Sequence, residues 1–73
     1  MSSHFISSET LKDGDVVHVH LNNDVSIGKA IIIREGNNFR LIETIYIEYP
    51  DGRKVNARSL EFDERAKFSL VTP

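Results

Sequence analysis

Tyr49-Pro50-Asp51-Gly52-Arg53 constrains this chain more than any other stretch, because it specifies a β-hairpin together with its register. Pro50 pre-sets φ for the first turn position, Asp51 suits the second, and Gly52 supplies the left-handed residue that closes a three-residue loop. Strands leaving this turn pair Tyr49 with Arg53, Glu48 with Lys54, Ile47 with Val55, Tyr46 with Asn56 and Ile45 with Ala57. Ile45, Ile47, Val55 and Ala57 then share one face, while Glu48 opposes Lys54 on the other. A slip of one residue destroys both agreements.

The rest of the chain reads outward from this hairpin. Residues 1–10 are read as a flexible, serine-rich tail, with a single turn over Ser8 to Leu11, and residues 11–73 as one β domain. Lys12-Asp13-Gly14-Asp15 is a turn signal. Val16 to Leu21 follows as a strand whose strict alternation puts Val17, Val19 and Leu21 inward. Asn22-Asn23-Asp24 breaks it, and a loop is expected up to Gly28. Lys29 to Arg34 is the second strand. Gly36-Asn37 has the chemistry of a two-residue turn, which sets Arg34 opposite Phe39, Ile32 opposite Leu41 and Ile31 opposite Ile42. A long strand from Phe39 to Tyr49 comes next, with a bend at Glu43-Thr44 to swing the Glu43 carboxylate out of the core. Arg53 to Arg58 is the fourth strand. Ser59 is the expected N-cap of a helical turn through Ala66, and Lys67 to Val71 closes the fold with Phe68 and Leu70 inward.

The fold class is therefore mainly β: a small barrel or a strongly twisted antiparallel sheet with one short helical turn near the C-terminus. Closing or coiling so small a sheet hides an apolar face that a flat one leaves wet. With 73 residues and no cysteine, neither disulfides nor thiolate metal sites contribute. A net charge of −2 argues against indiscriminate binding to a phosphate backbone. The longest apolar run, Ala30 to Ile33, is too short to span a bilayer, so no membrane partner is expected, and a cytoplasmic protein is the default.

Gly14-Asp15-Val16-Val17-His18-Val19, Gly28-Lys29-Ala30-Ile31-Ile32, and Tyr46-Ile47-Glu48-Tyr49 with Asp51-Gly52 resemble an SH3-like barrel of the Tudor or KOW kind. Ser59-Leu60-Glu61-Phe62 resembles the turn before its closing strand. The segment Arg34 to Thr44 departs from that pattern, being longer than the usual second hairpin. As a whole, the chain is also similar to small phage proteins that shut down or redirect host RNA polymerase. That likeness implies a transcription regulator, an inhibitor or antiterminator, working in the host cytoplasm.

Chemistry-bearing residues are sparse. His18 and His20 share a strand face, and His4 is the only further histidine; solvated strand histidines account for them, so no metal is assigned. No nucleophile elbow, phosphate-binding loop or His-Glu-x-x-His run is present, and no enzyme activity or cofactor is expected. Tyr46 and Tyr49 point to opposite faces, so they do not form an aromatic cage for methyl-lysine.

The outer sheet face is the better candidate. Ile31, Ile33, Ile42 and Tyr46 form an apolar group there, bordered by Arg40 and Arg58, and such patches with a polar rim mark partner sites. Against this stands a second core layer, with Phe5, Ile6, Leu60 or Phe62 covering the same residues. The function expected is a non-enzymatic regulator that docks on a larger protein, bacterial RNA polymerase being the specific partner. Nucleic acid held by Arg34, Arg40, Arg53, Lys54 and Arg58 around Tyr46 is the alternative. A third mode adds a partner strand to an unpaired edge of the first or second strand.

Overall fold

The computed structural model describes residues 4–71. The chain is mainly β: five antiparallel strands form one open sheet, and a short helix lies near the C-terminus. The strands are β1 (Val16–Leu21), β2 (Asp24–Gly36), β3 (Leu41–Glu48), β4 (Lys54–Asn56) and β5 (Lys67–Leu70), with helix α1 (Ala57–Asp63) between the last two. Their order across the sheet is β4-β3-β2-β1-β5.

The Pro-Asp-Gly hairpin has the register expected of it, with Glu48 opposite Lys54, Ile47 opposite Val55 and Tyr46 opposite Asn56. Its loop closes through the Gly52 amide, which donates to the Tyr49 carbonyl at 2.9 Å, and Gly52 carries φ of +94°. Pairing stops at Asn56, because its side-chain carbonyl accepts from the amides of Arg58 (2.9 Å) and Ser59 (3.1 Å) and so caps α1. Asn56, and not Ser59, is the N-cap. Ala57 and Arg58 consequently belong to the helix, and the expected Ile45–Ala57 pair does not form.

β2 is longer than its sequence suggested. It begins at Asp24, directly after a tight connection in which Asn22 adopts φ of +52°, so residues 25–28 are strand and not loop. Residues 24–29 pair with β1, whereas residues 29–36 pair with β3. The strand changes partner beside Gly28. A Cβ there would collide with the Ile47 side chain, so only glycine lets the two strands close at this corner.

The second hairpin departs from expectation in register. Arg34 faces Glu43, Ile32 faces Ile45 and Ile31 faces Tyr46, four residues beyond the expected partners. Gly36 ends β2 instead of forming the turn, and the Asn37 side chain caps a longer loop by accepting from the amides of Phe39 (2.8 Å) and Arg40 (3.1 Å). A shift of an even number of residues preserves which side chains share a face. Phe39 and Leu41, expected inward, instead lie beyond the core and are 95% and 66% exposed. The register of β3 is continuous, with no bulge at Glu43. None is needed: Glu43 points to the inner side where the core has ended, and it pairs there with Arg34 at 3.3 Å.

The buried core comprises Leu11, Val17, Val19, Ala30, Ile47, Ala57, Leu60, Ala66 and Phe68, with Ile6, Leu21, Ile45, Tyr49 and Val55 packed at its margin. Leu70, expected inward, lies at the strand end and is half exposed. The segment read as a flexible tail is, over its described part, built into the fold. Ile6 bridges Phe68, its amide donating to the Phe68 carbonyl at 2.8 Å. Ser8 to Thr10 form a 3₁₀ turn, and the buried Ser8 hydroxyl donates to the Glu61 carboxylate of α1 at 2.7 Å. These contacts place the turn and α1 together on one side of the sheet.

Candidate partner-binding surface

Pairing partners across an antiparallel sheet project to the same side. Ala30, Ile45, Ile47 and Val55 occupy the side that carries α1. Ile31 and its partner Tyr46 therefore project to the opposite side, together with Ile33, Ile42 and Thr44. Along β2 the same side carries Val25, Ile27 and Lys29. Ile42 and Ile27 are half exposed, Val25 is 58% exposed, and Ile31, Ile33 and Tyr46 are partly buried by one another and their neighbours. Lys29, Glu48 and Lys54 give this apolar strip a charged border, with Lys54 3.6 Å from Glu48.

The covering layer that competes with this surface falls elsewhere among the described residues. Leu60 lies in the core on the helix side, and Phe62 is exposed beneath the Arg58 guanidinium at 5.8 Å. Ile6 joins the core margin. Phe5 does reach the outer side, but it packs edge-on against His20 at 5.0 Å, at the β1–β5 corner. Ile31, Ile33, Ile42 and Tyr46 remain uncovered.

Two of the expected site residues part from this group. Arg40 lies in the exposed loop at the tip of the β2–β3 hairpin, beyond the strip. Arg58 is carried by the Asn56 cap onto α1, where it lies 3.8 Å from Glu9 on the helix side, and it meets the face only at its edge, across a cleft that Ile42 and Thr44 also line. Conversely, Val25 and Ile27 extend the strip and were missed, because residues 25–28 read as loop. Strand chemistry was present there in the alternation of Val25, Ile27 and Lys29.

The cations proposed for nucleic acid do not converge. Arg34 lies beside Glu43, Arg53 beside Asp51 (2.7 Å), Lys54 beside Glu48 and Arg58 beside Glu9. These four are spread over two strands, a turn and a helix, each next to a carboxylate, and Arg40 stands apart in the loop at the hairpin tip. Asp51 is held below the ordinary carboxylate range, chiefly because the Arg53 amide donates to it. This carboxyl is a turn-forming group on the surface, with no recess around it.

The histidines show ordinary strand roles. His18 and His20 have ring centroids 6.2 Å apart, and His20 Nε2 lies 2.9 Å from the Ser69 hydroxyl. Among the described residues no three side chains of metal-binding type converge. No helix among them is long and apolar enough to cross a membrane.

Neither a family model, nor a curated protein, nor a solved structure matches this chain.

Proposed function

We propose that this chain is a non-enzymatic protein-binding module that docks through the outer face of its sheet. One observation carries this: Ile31, Ile33, Ile42 and Tyr46 are brought together by the β2–β3 register on a side that neither α1 nor the 3₁₀ turn covers. Contiguous apolar groups with a charged border are the usual anatomy of a partner site, and tyrosine is prominent among residues that dominate binding energy. Docking of a rigid sheet acts sterically, by blocking or bridging a second partner of the bound protein. The likeness of the whole chain to small phage regulators makes bacterial RNA polymerase the first partner to test, with inhibition of initiation or antitermination as the outcome. The nucleic-acid alternative draws no comparable support, since its cations are dispersed and four of the five lie beside acids.

Titration calorimetry against purified bacterial RNA polymerase tests this. Tyr46→Ala should weaken binding by about tenfold or more, while circular dichroism shows a folded domain. Affinity should change little between low and moderate salt, because apolar burial is not screened. Unchanged affinity in the variant removes the sheet face from the interface. A steep loss of binding with salt transfers the function to nucleic acid.

A further inference from the structure

The β2–β3 hairpin has two long edges, and they are treated differently. On the β2 side the backbone is capped. The Ala30 amide donates to the Asp15 carbonyl at 2.7 Å, the Ala30 carbonyl accepts from the Gly14 amide at 2.7 Å, and the Ile32 amide donates to the Asp13 carboxylate at 2.9 Å. On the β3 side, β4 ends at Asn56 opposite Tyr46. Hydrogen-bonding groups alternate along an antiparallel strand. Tyr49 donates toward Arg53 of the hairpin at 2.8 Å, so Leu41, Glu43 and Ile45, of the same parity, aim their N–H and C=O groups at this vacated flank. Beyond the Tyr46–Asn56 pair, no strand among the described residues pairs with Leu41 or Glu43 on this flank.

Beside this flank lies a cleft of about 590 Å³. Leu11, Ile32 and Ile45 give it an apolar floor, and Glu9 and Arg58 form its outer wall. We propose that the open edge of β3 over Leu41–Ile45 accepts an extended, uncharged segment of a partner protein, which adds a strand beyond β4 and seats alternate apolar side chains in this cleft. The vacant backbone groups call for another backbone in strand conformation. Charge complementarity sets its composition. Arg58 faces Glu9 at 3.8 Å, and Glu43 is met at 3.3 Å by Arg34 from outside the cleft, so the charges around it cancel and match a neutral segment. A second copy of this chain fits poorly. Antiparallel pairing of two such edges about their centre sets Glu43 directly against Glu43, and like charges in that position oppose association. This site meets the outer face at Ile42 and Thr44 on the strand edge, but Tyr46 does not line it, so Tyr46→Ala leaves it intact.

The test uses the full chain, labelled with ¹⁵N, and a capped, uncharged heptapeptide of alternating threonine and valine. Millimolar peptide should shift the Leu41, Glu43 and Ile45 amides and slow their exchange with solvent. The same peptide with N-methylated valines, which lacks the backbone donors that face β3 when the valines enter the cleft, should bind at least tenfold more weakly. Glu43→Pro removes the outward N–H without touching the β2–β3 ladder; it should keep its melting temperature within a few degrees and lose peptide binding at least tenfold. Shifts confined to Ile31, Ile33 and Tyr46, or none at millimolar peptide, overturn the proposal. So does a Glu43→Pro variant that binds like the parent, or one that unfolds, since the Glu43 amide then is not at a free edge. Concentration-dependent dimers of the parent that Glu43→Pro abolishes assign the edge to a second copy and overturn it equally.

Discussion

Phe68 and Phe39 are the same side chain in opposite surroundings. Phe68, on β5 opposite Val19, is fully buried in the core, whereas Phe39 is 95% exposed at the tip of the β2–β3 hairpin. Their settings divide the molecule into a body and a ribbon. In the body, strands gain cover from α1 and the 3₁₀ turn, and two layers shut out water. Past Ile32 and Ile45 the ribbon continues as two strands alone, held by its ladder, the Asn37 cap and the Arg34–Glu43 pair. An outline of 46 × 26 × 23 Å fits a body with such a projection. Two strands without cover are marginal by themselves, so the ribbon borrows its order from the body. Its exposed Phe39, Leu41 and Ile42 add little to folding.

The sharpest way to break this division is to truncate both phenylalanines. Phe68→Ala should cost about 3–5 kcal/mol, the range for removing a buried aromatic ring. For a domain of this size that is a large part of the total stability. Phe39→Ala should fall within about 0.5 kcal/mol of the parent. Urea denaturation of the two variants reads both numbers. A Phe39→Ala cost above about 1 kcal/mol would mean that the ribbon tip packs against something, and the division fails.

A second variant addresses the junction of the two regions. β2 serves the body up to Lys29 and the ribbon from there on, and Gly28 lies buried at the change of partner. Gly28→Ala directs a methyl group into Ile47, which is fully buried and has no room to retreat. The expected loss is about 1–3 kcal/mol, typical of overpacking a well-filled core. A neutral result in thermal melts would show that β2 can flex at this corner, and that body and ribbon are less rigidly joined than their shared strand implies.

The body was more legible in the sequence than the ribbon, and the reason is local chemistry. Pro50-Asp51-Gly52 admits one turn, and the pairs flanking it agree on both faces, so the register followed directly. Gly36-Asn37 offers a plausible tight turn, but Asn37 also caps a longer loop with its own side chain, and that alternative wins. The resulting shift of four residues left the faces of Ile31, Ile33, Ile42 and Tyr46 unchanged while carrying Phe39 and Leu41 past the end of the core. Arg58 went astray for a different reason. Asn56 and Ser59 are both good N-caps, and only tertiary packing of Ala57 and Leu60 into the core decides for Asn56. The open flank of β3 was hidden because it depends on where β4 stops, which the same choice of cap determines. Phe5 and Ile6 looked like tail, since an isolated pair of apolar residues carries no periodicity.

The smallest effect compares the two turns. Each is capped by a side-chain oxygen two residues before the amide it receives: Asp51 for Arg53 at 3.0 Å, and Asn37 for Phe39 at 2.8 Å. Only the first cap titrates. Folding lowers the Asp51 pKa, chiefly through the Arg53 amide, with the Arg53 guanidinium adding at 2.7 Å. A group whose folded pKa is lowered contributes its stabilisation above its ordinary carboxylate value, and the contribution is lost as pH falls through the lowered one. Asp51→Asn should therefore be slightly less stable than the parent at neutral pH, and the gap should close in strong acid. Denaturation curves of both proteins across that range measure it. A gap that persists in acid would mean that Asp51 acts through turn conformation alone, and the body hairpin would then match the ribbon turn, where Asn37 caps without charge.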